Sequence, residues 1–377
     1  MPHYSSPSVQ DELYIAGSSW LKLEDDSGLQ LDEAVFEACS AALRNAGIKR
    51  HQVALSITSS LDLYDARSIS NALTAPAAAG YLNDELRVEG DGAAAFLVAA
   101  AGLASGQADI AIVVASSAPE VGYTSEAAVR GLQEHVSSYT FDAHTSRPVG
   151  LTANTVLGLH AANRLDVGRV SWAKMVESTA ADINRGAASG RAQRAATTID
   201  AVASAPVAMA PLNELMLPAS SAGIGAIVIA AGVAGRRCPD PLARVTGWGS
   251  AVSPSPGRTS WLTNPAGAAG KAARDAYRRS GRRAEEIGYA EMTDLTPAMT
   301  DELAEALQIR HLAASERNRT GGVRSNHPGI ANGLLRIIEG AELARERTAG
   351  HNALVHAADN LMGLTSSTSS VLILESL

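Results

Sequence analysis

Cysteine is scarce in this sequence of 377 residues, which contains only Cys39 and Cys238. Two cysteines are too few for a disulfide framework, and their separation matches no metal-ligand spacing. Cys39 falls on the apolar side of the first predicted helix and Cys238 falls in a predicted loop. Neither is therefore expected at a helix N-terminus, where a thiolate is stabilised. A reducing compartment fits this composition, and we predict a cytoplasmic location.

Long apolar runs and concentrated positive charge are also missing. The longest apolar run, residues 92–104, is too short to cross a bilayer. The N-terminal stretch MPHYSSPSVQDELYI lacks the basic-then-apolar order of a signal peptide. A formal net charge of -8 disfavours nucleic acid as the main partner, since phosphate binding needs a concentrated basic surface. We therefore expect neither a membrane span nor a nucleic-acid partner.

Aromatic residues make up 4% of the chain, whereas hydrophobic residues make up 46% and alanine is abundant. Helices rich in small residues can pack closely, which suits a layered α/β core. Four strand-like runs are apolar without alternation, which predicts sheets covered on both faces: Val53–Ile57, Ile110–Ala115, Ile224–Ala230 and Val371–Leu374. The pair Ser220-Ser221 is not in a G-x-S-x-G elbow, so a serine nucleophile is disfavoured.

The chain repeats itself loosely with an offset of about 234 residues. The helix AVFEACSAALRNAGI leads to the strand VALSI, and later AAGKAARDAYRRSG leads to GYAEM. A turn–helix–strand unit also recurs, first as GDGAAAFLVAAAGLASGQADIAIVVAS and then as SNHPGIANGLLRIIEGAELARERTAGHNALVHAA. We predict two similar halves, residues 1–240 and 241–377. The first carries a mostly helical, polar insertion at about residues 121–210.

The order and separation of four segments resemble the thiolase superfamily, and the sterol-carrier-protein-type thiolases in particular. These segments are GAAAFLVAAAGLASGQAD, TANTVLGLHAANRLDVGRVSWAKMVESTAADINRGA, APLNELMLPASSAGIGAIVIA and NRTGGVRSNHPGIANG. The resemblance covers nearly the whole chain. It implies an α/β protein with the five-layer αβαβα thiolase fold, built from two pseudo-duplicated halves and usually dimeric.

The resemblance also implies where catalytic groups would lie. The family's acyl-accepting cysteine, in C-x-S-G, falls on Glu89 of Glu89-Gly90-Asp91-Gly92, and a one-gap shift would move it to Asp91. The second cysteine falls on Gly363 and the family's Asn or His on Thr293. Only His327 remains of the usual set, and in thiolases it polarises a thioester carbonyl. The candidates are as follows: catalytic, Glu89, Asp91, Asn326 and His327; substrate pocket, Gly92, Thr293, His356 and Gly363.

Several of these residues have an equally simple structural interpretation. One interpretation of Glu89 or Asp91 is that of a helix N-cap alone, since both types accept backbone N–H bonds there. Thr293, with Asp294, is interpreted first as a cap of the next helix. His356 and Asp359 are either ordinary strand-end groups or a replacement acid or base.

Two functions follow from the resemblance. The first is an enzyme that acts on acyl thioesters by carbon–carbon bond formation or aldol-type cleavage, without an acyl-cysteine. In it, His327 would hold the enolate oxygen and Glu89 would move the proton. The second is a catalytically silent subunit that partners a cysteine-bearing homologue. The enzyme is favoured because both candidate positions stay polar.

The same resemblance sets the expected partners and cofactors. We expect a homodimer, or a heterodimer with another thiolase-fold subunit, and allow for an OB-fold partner protein. CoA or phosphopantetheine enters as part of the substrate, with no permanently bound cofactor and no metal.

Overall fold

The computed structural model describes residues 12–24, 28–65, 70–118, 125–252, 264–358 and 368–377. Its strands are β1 Leu13–Lys22, β2 Leu55–Ser59, β3 Asp84–Val88, β4 Ile110–Ser117, β5 Val207–Met209, β6 Leu212–Asn213, β7 Gly223–Ala231, β8 Ala243–Val252, β9 Ile287–Met292, β10 Asn352–Ala358 and β11 Thr368–Glu375. Three of the four apolar runs identified in the sequence lie within the strands β4, β7 and β11, and the run Val53–Ile57 begins two residues before β2 and overlaps it. Their continuous burial confirms that the sheet is covered on both faces.

Helices fill the intervals between the strands. They are α1 Leu31–Ala46, α2 Asp62–Asp65, α3 Ser70–Ala75, α4 Gly92–Ala104, α5 Glu126–Ser138, α6 Ala153–Asp166, α7 Trp172–Ser189, α8 Ile199–Ala203, α9 Gly232–Arg236, α10 Gly267–Ser280, α11 Thr300–Ala306 and α12 Asn332–Arg345. Short 3-10 turns connect several of them, and the turn at Gly329–Ala331 leads directly into α12. Helices α5 to α8 all lie between β4 and β7, in the polar segment of the first half.

Nine strands form one sheet in the order β3-β2-β4-β7-β1-β8-β11-β10-β9, and β5 pairs separately with β6. Strands β3, β2 and β4 are parallel, as are β9 and β10, while the other neighbours are antiparallel. A short antiparallel ladder joins the two halves, pairing Leu13 with Val245 and Ile15 with Ala243. The strands of the two halves therefore meet at β1 and β8.

The two halves repeat one arrangement of elements. Strand β1, α1 and β2 correspond to β8, α10 and β9, and α4, β4 and β7 correspond to α12, β10 and β11. Both β1 and β8 lie very close to their own helix. A Cβ atom on Gly17 would lie 2.5 Å from the backbone nitrogen of Ala46, and one on Gly249 would lie 2.1 Å from the carbonyl oxygen of Ala272. The close approach of helix and strand needs glycine in both halves.

Three apolar clusters fill the spaces between five layers. The outer helix α1 packs Val35 and Leu43 against the first half of the sheet. The central helices α4 and α12 pack together between the two halves, through Phe96 and Ile337 among others. Helix α10 covers the second half from the opposite side, with Ala272 in its buried face. The layers are therefore α1, the strands of the first half, α4 with α12, the strands of the second half, and α10, which confirms the predicted αβαβα architecture.

Candidate active site

One carboxylate caps both central helices. Asp91 is the N-cap of α4, and its Oδ1 accepts a 2.9 Å hydrogen bond from the backbone N–H of Ala93. Its Oδ2 accepts a second 2.9 Å bond from the N–H of Gly333 in the first turn of α12. Asp91 is only 6% exposed, and the positive ends of two helix dipoles stabilise its charge. Asp91, at the start of the apolar helix α4, thus links the two halves through its hydrogen bonds to α4 and α12.

Glu89 lies in a different environment from the one expected. Its side chain is 56% exposed and its Oε1 lies 3.1 Å from Nη2 of Arg87. Arg87, whose side chain is only 17% exposed, also binds Asp62, and its guanidinium holds Glu89 at the surface end of the turn. Glu89 and His327 therefore do not share a buried cavity. Of the two positions that the resemblance allowed for the thiol, Asp91 is the one at the helix start.

His327 is the most deeply buried of the predicted catalytic residues, with 1% exposure. Its backbone N–H donates to the carbonyl of Ala219 at 2.8 Å, and its own carbonyl accepts from the N–H of Ser221 at 3.1 Å. Neither ring nitrogen has a hydrogen-bond partner among the described residues. Burial, together with the nearby charge of Arg336, lowers the pKa of His327 to about 3. The imidazole is therefore neutral at physiological pH, with one N–H donor and one acceptor available.

Asn326 uses its side chain to hold the turn before His327. Its Oδ1 accepts from Ser221 Oγ at 2.6 Å, and its Nδ2 donates to the carbonyl of Arg191 at 2.8 Å. Its own carbonyl accepts from Nη2 of Arg336 at 3.1 Å. These contacts satisfy the amide on both sides, so Asn326 positions the histidine turn.

A second polar cluster lies at the start of α12. Nδ2 of Asn332 donates to Oγ1 of Thr293 at 2.9 Å, and the N–H of Thr293 donates to the carbonyl of His356 at 3.1 Å. Nε2 of His356 lies 2.8 Å from Ser369 Oγ. Burial lowers the pKa of His356 to about 4, although the electrostatic interaction with Asp294 acts to raise it. The structure thus brings Thr293 and His356 together through this network.

The expectation that Thr293 and Asp294 cap the next helix is wrong. Helix α11 begins only at Thr300, and its N-cap residue makes no side-chain cap. The carboxylate of Asp294 instead accepts from Asn318 Nδ2 at 2.8 Å and from Arg324 Nη2 at 2.6 Å. Both residues therefore belong to buried side-chain networks, because the chain after β9 continues inward before the helix starts.

His327 lines a narrow cavity of about 30 Å³ between helices α5 and α6 and the segments that contain Ser220 and Leu295. Part of its polar lining comes from residues that the sequence analysis did not single out, among them Gln133 and Glu134 of α5. Ser220 joins the two sides, because its Oγ donates to Gln133 Oε1 at 2.6 Å and its backbone forms a β-bridge with His327. No local sequence pattern connects α5 to His327, so the fold had to be known to find this grouping.

Three solved structures are similar to this chain over nearly its whole length. The Ltp2–ChsH2(DUF35) aldolase has a TM-score of 0.77 and 18% identity, over 98% of this chain and 99% of that one. Human mitochondrial 3-ketoacyl-CoA thiolase has a TM-score of 0.77 and 15% identity, over 98% and 100%. The monomeric SCP2-thiolase-like protein type 1 of Mycobacterium smegmatis has a TM-score of 0.72 and 15% identity, over 99% and 79%. The protein has the thiolase fold.

No family model matches the chain. No curated protein matches it either. At identities of 15–18%, the structural likeness establishes the fold and leaves the chemistry to be argued from the site.

Both cysteines of this thiolase-fold chain lie away from the central helices. Cys39 is buried on α1 in the outer layer, where burial raises the pKa of its thiol to about 11. Cys238 follows α9, and burial raises its thiol pKa as well. At neutral pH both are protonated thiols, so neither environment favours a nucleophilic thiolate.

Gly92 and Gly363 are the remaining candidates for the substrate pocket. Gly92 is the first residue of α4, and a Cβ there would lie 2.8 Å from Leu334 Cβ and 2.9 Å from Ala115 Cβ. It therefore serves the packing of α4 on α12 and β4. Gly363 and Asp359 lie outside the described residues.

A buried charged group lies behind the histidine turn. Arg336 of α12 has its Nη1 2.8 Å from Glu339 Oε2 and 3.9 Å from Glu291 Oε2. Thr320 donates to Glu291 through its Oγ1 at 3.0 Å. Burial and the charge of Glu339 raise the pKa of Glu291 to about 7. The sequence already indicated a buried ion pair here, because charged residues within apolar segments are buried only when they are paired.

The described residues contain neither a membrane-spanning helix nor a metal-binding cluster. No helix in these ranges is long and apolar enough to span a membrane. No group of three or more His, Cys, Asp or Glu side chains within them is arranged to hold a metal ion.

Proposed function

We propose that the protein acts on acyl thioesters by carbon–carbon bond formation or aldol-type cleavage, without a covalent acyl-cysteine. One observation carries this proposal: His327 is buried, neutral and unpartnered at both ring nitrogens within the described residues, and it faces a cavity. Leaving a buried polar group without a partner costs about 1–3 kcal/mol. That cost is offset when a ligand supplies the missing hydrogen bond.

A neutral imidazole in this position suits a carbonyl oxygen. Its N–H donates a hydrogen bond that strengthens as the oxygen gains negative charge, which stabilises an enolate. Because the pKa of His327 is about 3, the ring retains this neutral form across the physiological range. The chemistry favoured is therefore enolate formation next to a thioester carbonyl.

The start of α4 supports a mechanism that avoids an acyl-enzyme. Asp91 stands there, and a carboxylate is a poor acyl acceptor because the mixed anhydride is labile. Both of its oxygens accept backbone hydrogen bonds from the two central helices. In the proposed enzyme Asp91 fixes the helices that frame the site, and the substrate stays attached to its own CoA or phosphopantetheine thiol.

The proposal includes an oligomer of two thiolase-fold subunits, either two copies of this chain or this chain with a homologue. Strand β3 is at one edge of the sheet and presents the exposed side chain of Leu86, and the exposed Leu82 lies in the turn just before it. A strand edge of this kind supports pairing with a second subunit.

The proposal also includes a small OB-fold partner protein, because the similar aldolase structure pairs Ltp2 with a DUF35 protein.

The test is α-proton exchange by the purified homo-oligomer. Wild-type protein is incubated with acetyl-CoA or propionyl-CoA in D₂O, and deuterium at the α-carbon is followed by mass spectrometry. H327A is expected to lower the rate by about 10²–10³. H144A changes an exposed histidine on the surface and is expected to keep the wild-type rate. Equal exchange by H327A and wild type would contradict the proposal.

A silent subunit is the second candidate, and Asp91 is the observation that favours it. The carboxylate already accepts the N–H groups of Ala93 and Gly333, so neither donor is available to a substrate oxygen. This candidate predicts that the protein co-purifies with a cysteine-bearing thiolase-fold subunit and lowers that subunit's KM. Exchange by the purified protein alone would rule it out.

A further inference from the structure

The cavity at His327 contains a carboxylate that the proposed mechanism has not yet used. Glu134 of α5 lines this cavity together with His327, Gln133 and Ser220, and it is the only carboxylate among the described residues that line it. Enolate formation needs a base as well as an oxygen-binding group. Glu89, the base expected from the sequence, is exposed and held by Arg87.

Glu134 is held by the N-terminus of the next helix. Its Oε1 accepts a 2.8 Å hydrogen bond from Thr152 Oγ1. Thr152 is the N-cap of α6 and forms a capping box with Thr155, so its position is fixed by the helix start. A half-buried carboxylate with one oxygen anchored in this way is limited in the rotamers it can adopt.

The same helix is tied to the histidine turn. Gln133, the neighbour of Glu134, accepts the hydrogen bond of Ser220, and the backbone of Ser220 forms a β-bridge with His327. Helix α5 therefore keeps a fixed relation to the imidazole through two consecutive contacts. The carboxylate of Glu134 and the imidazole of His327 therefore line one cavity, although the two residues are far apart in the sequence.

We infer that Glu134 is the base that takes the α-proton of the thioester whose carbonyl oxygen His327 binds. This inference rests on the proposed function and identifies its proton-transfer group. Glu134 Oε2 takes the proton, and the C–H electron pair forms the C=C bond of the enolate. The carbonyl π pair moves to the oxygen, which accepts the hydrogen bond of the His327 ring. In the reverse direction the acid returns the proton to carbon.

The size of the cavity at His327 indicates the length of the acyl group that binds there. A volume of about 30 Å³ accommodates about two water-sized groups. A space this small favours the shortest acyl groups over a long chain. The probes are therefore acetyl-CoA, propionyl-CoA and, as a long-chain comparison, palmitoyl-CoA.

The experiment compares E134Q, E134D and E177Q in the D₂O exchange assay, using the full-length protein. Glutamine keeps the size of Glu134 and its acceptor for Thr152 but cannot take a proton. We expect E134Q to lower exchange of acetyl-CoA at least about 100-fold. Its Kd for acetyl-CoA is expected to stay within about threefold of wild type. E134D keeps a carboxylate and should retain more activity than E134Q. E177Q, on the exposed face of α7, should match wild type.

The outcomes separate this inference from the function on which it rests. Wild-type exchange in E134Q, with H327A inactive, would overturn the role of Glu134 and leave the proposed function intact. Loss of binding in parallel with loss of exchange in E134Q would show a structural role and overturn it as well. Absence of exchange by wild type with all three thioesters would overturn the proposed function and this inference together.

Discussion

Asp91 accepts a hydrogen bond from the backbone N–H of Gly333, a residue 242 positions later in the chain. The contact joins the N-termini of α4 and α12, which are corresponding helices of the two halves. Gly333 must lack a side chain for it, since a Cβ there would lie 1.7 Å from Asp91 Oδ1. The acid at the start of the buried helix is thus explained first by structure.

Replacing Asp91 should therefore destabilise the protein more than the loss of an ordinary helix cap. D91A removes an N-cap and leaves the buried N–H of Gly333 without its partner, for an expected loss of about 2–4 kcal/mol. Urea unfolding measures this loss. The matched control is S171A, which removes an exposed N-cap that serves α7 alone and should cost about 1 kcal/mol.

The contact can be isolated by adding the variant G333A. Alanine at 333 is expected to be destabilising in the wild type, because its Cβ overlaps the carboxylate, and much less so beside D91A. Strict additivity of the two losses in a double-mutant cycle would contradict the bridging role of Asp91.

The two cysteines should be dispensable for activity. The pKa of Cys39 is raised to about 11 and that of Cys238 is also raised, so little thiolate forms near neutral pH. The variant C39A/C238A is expected to keep the exchange rate of wild type within about threefold. Treatment with iodoacetamide at pH 7 should leave that rate unchanged in the wild type. Inactivation by the reagent, prevented by acetyl-CoA, would show that a thiol takes part after all.

The covered strands and the two similar halves were predictable because their signals are local and repeated, whereas the five-layer arrangement was implied by the resemblance to thiolases. A run such as Ile224–Ala230 has no polar alternation, which fits a strand covered on both faces, and it lies within a fully buried strand. The recurring turn–helix–strand unit likewise corresponds to α4–β4 and α12–β10. Both features follow from periodicity and spacing, which a single sequence contains.

The candidate site was harder to predict from sequence patterns than the fold. Counting along a motif located the turn before α4 but did not show which of its acids faces inward, and Arg87 holds Glu89 outside. Glu134 and Gln133 come from a helix far from His327 in sequence, so only tertiary packing brings them to one cavity. Burial of Arg336 with Glu291 also depends on how α12 packs, which its sequence alone does not specify.

The buried acid Glu291 should make stability depend on pH. Its pKa is raised from 4.5 to about 7 by burial and by Glu339, so the folded state binds a proton that the unfolded state releases. The stability due to this group is present below about pH 4.5 and is lost as the pH rises through 7. His327 and His356 act in the opposite direction, because their lowered pKa values make stability fall as the pH drops below 6.5.

E291Q separates these effects, because glutamine keeps an acceptor for Thr320 and does not titrate. Relative to wild type, E291Q should be more stable at pH 8 than at pH 5, by up to a few kcal/mol. Urea unfolding of both proteins at half-unit pH intervals measures the difference, and T320V is the control that removes the hydroxyl bond without removing the acid. A difference between E291Q and wild type that stays constant from pH 5 to pH 8 would show that Glu291 has an ordinary pKa and is not held neutral by its surroundings.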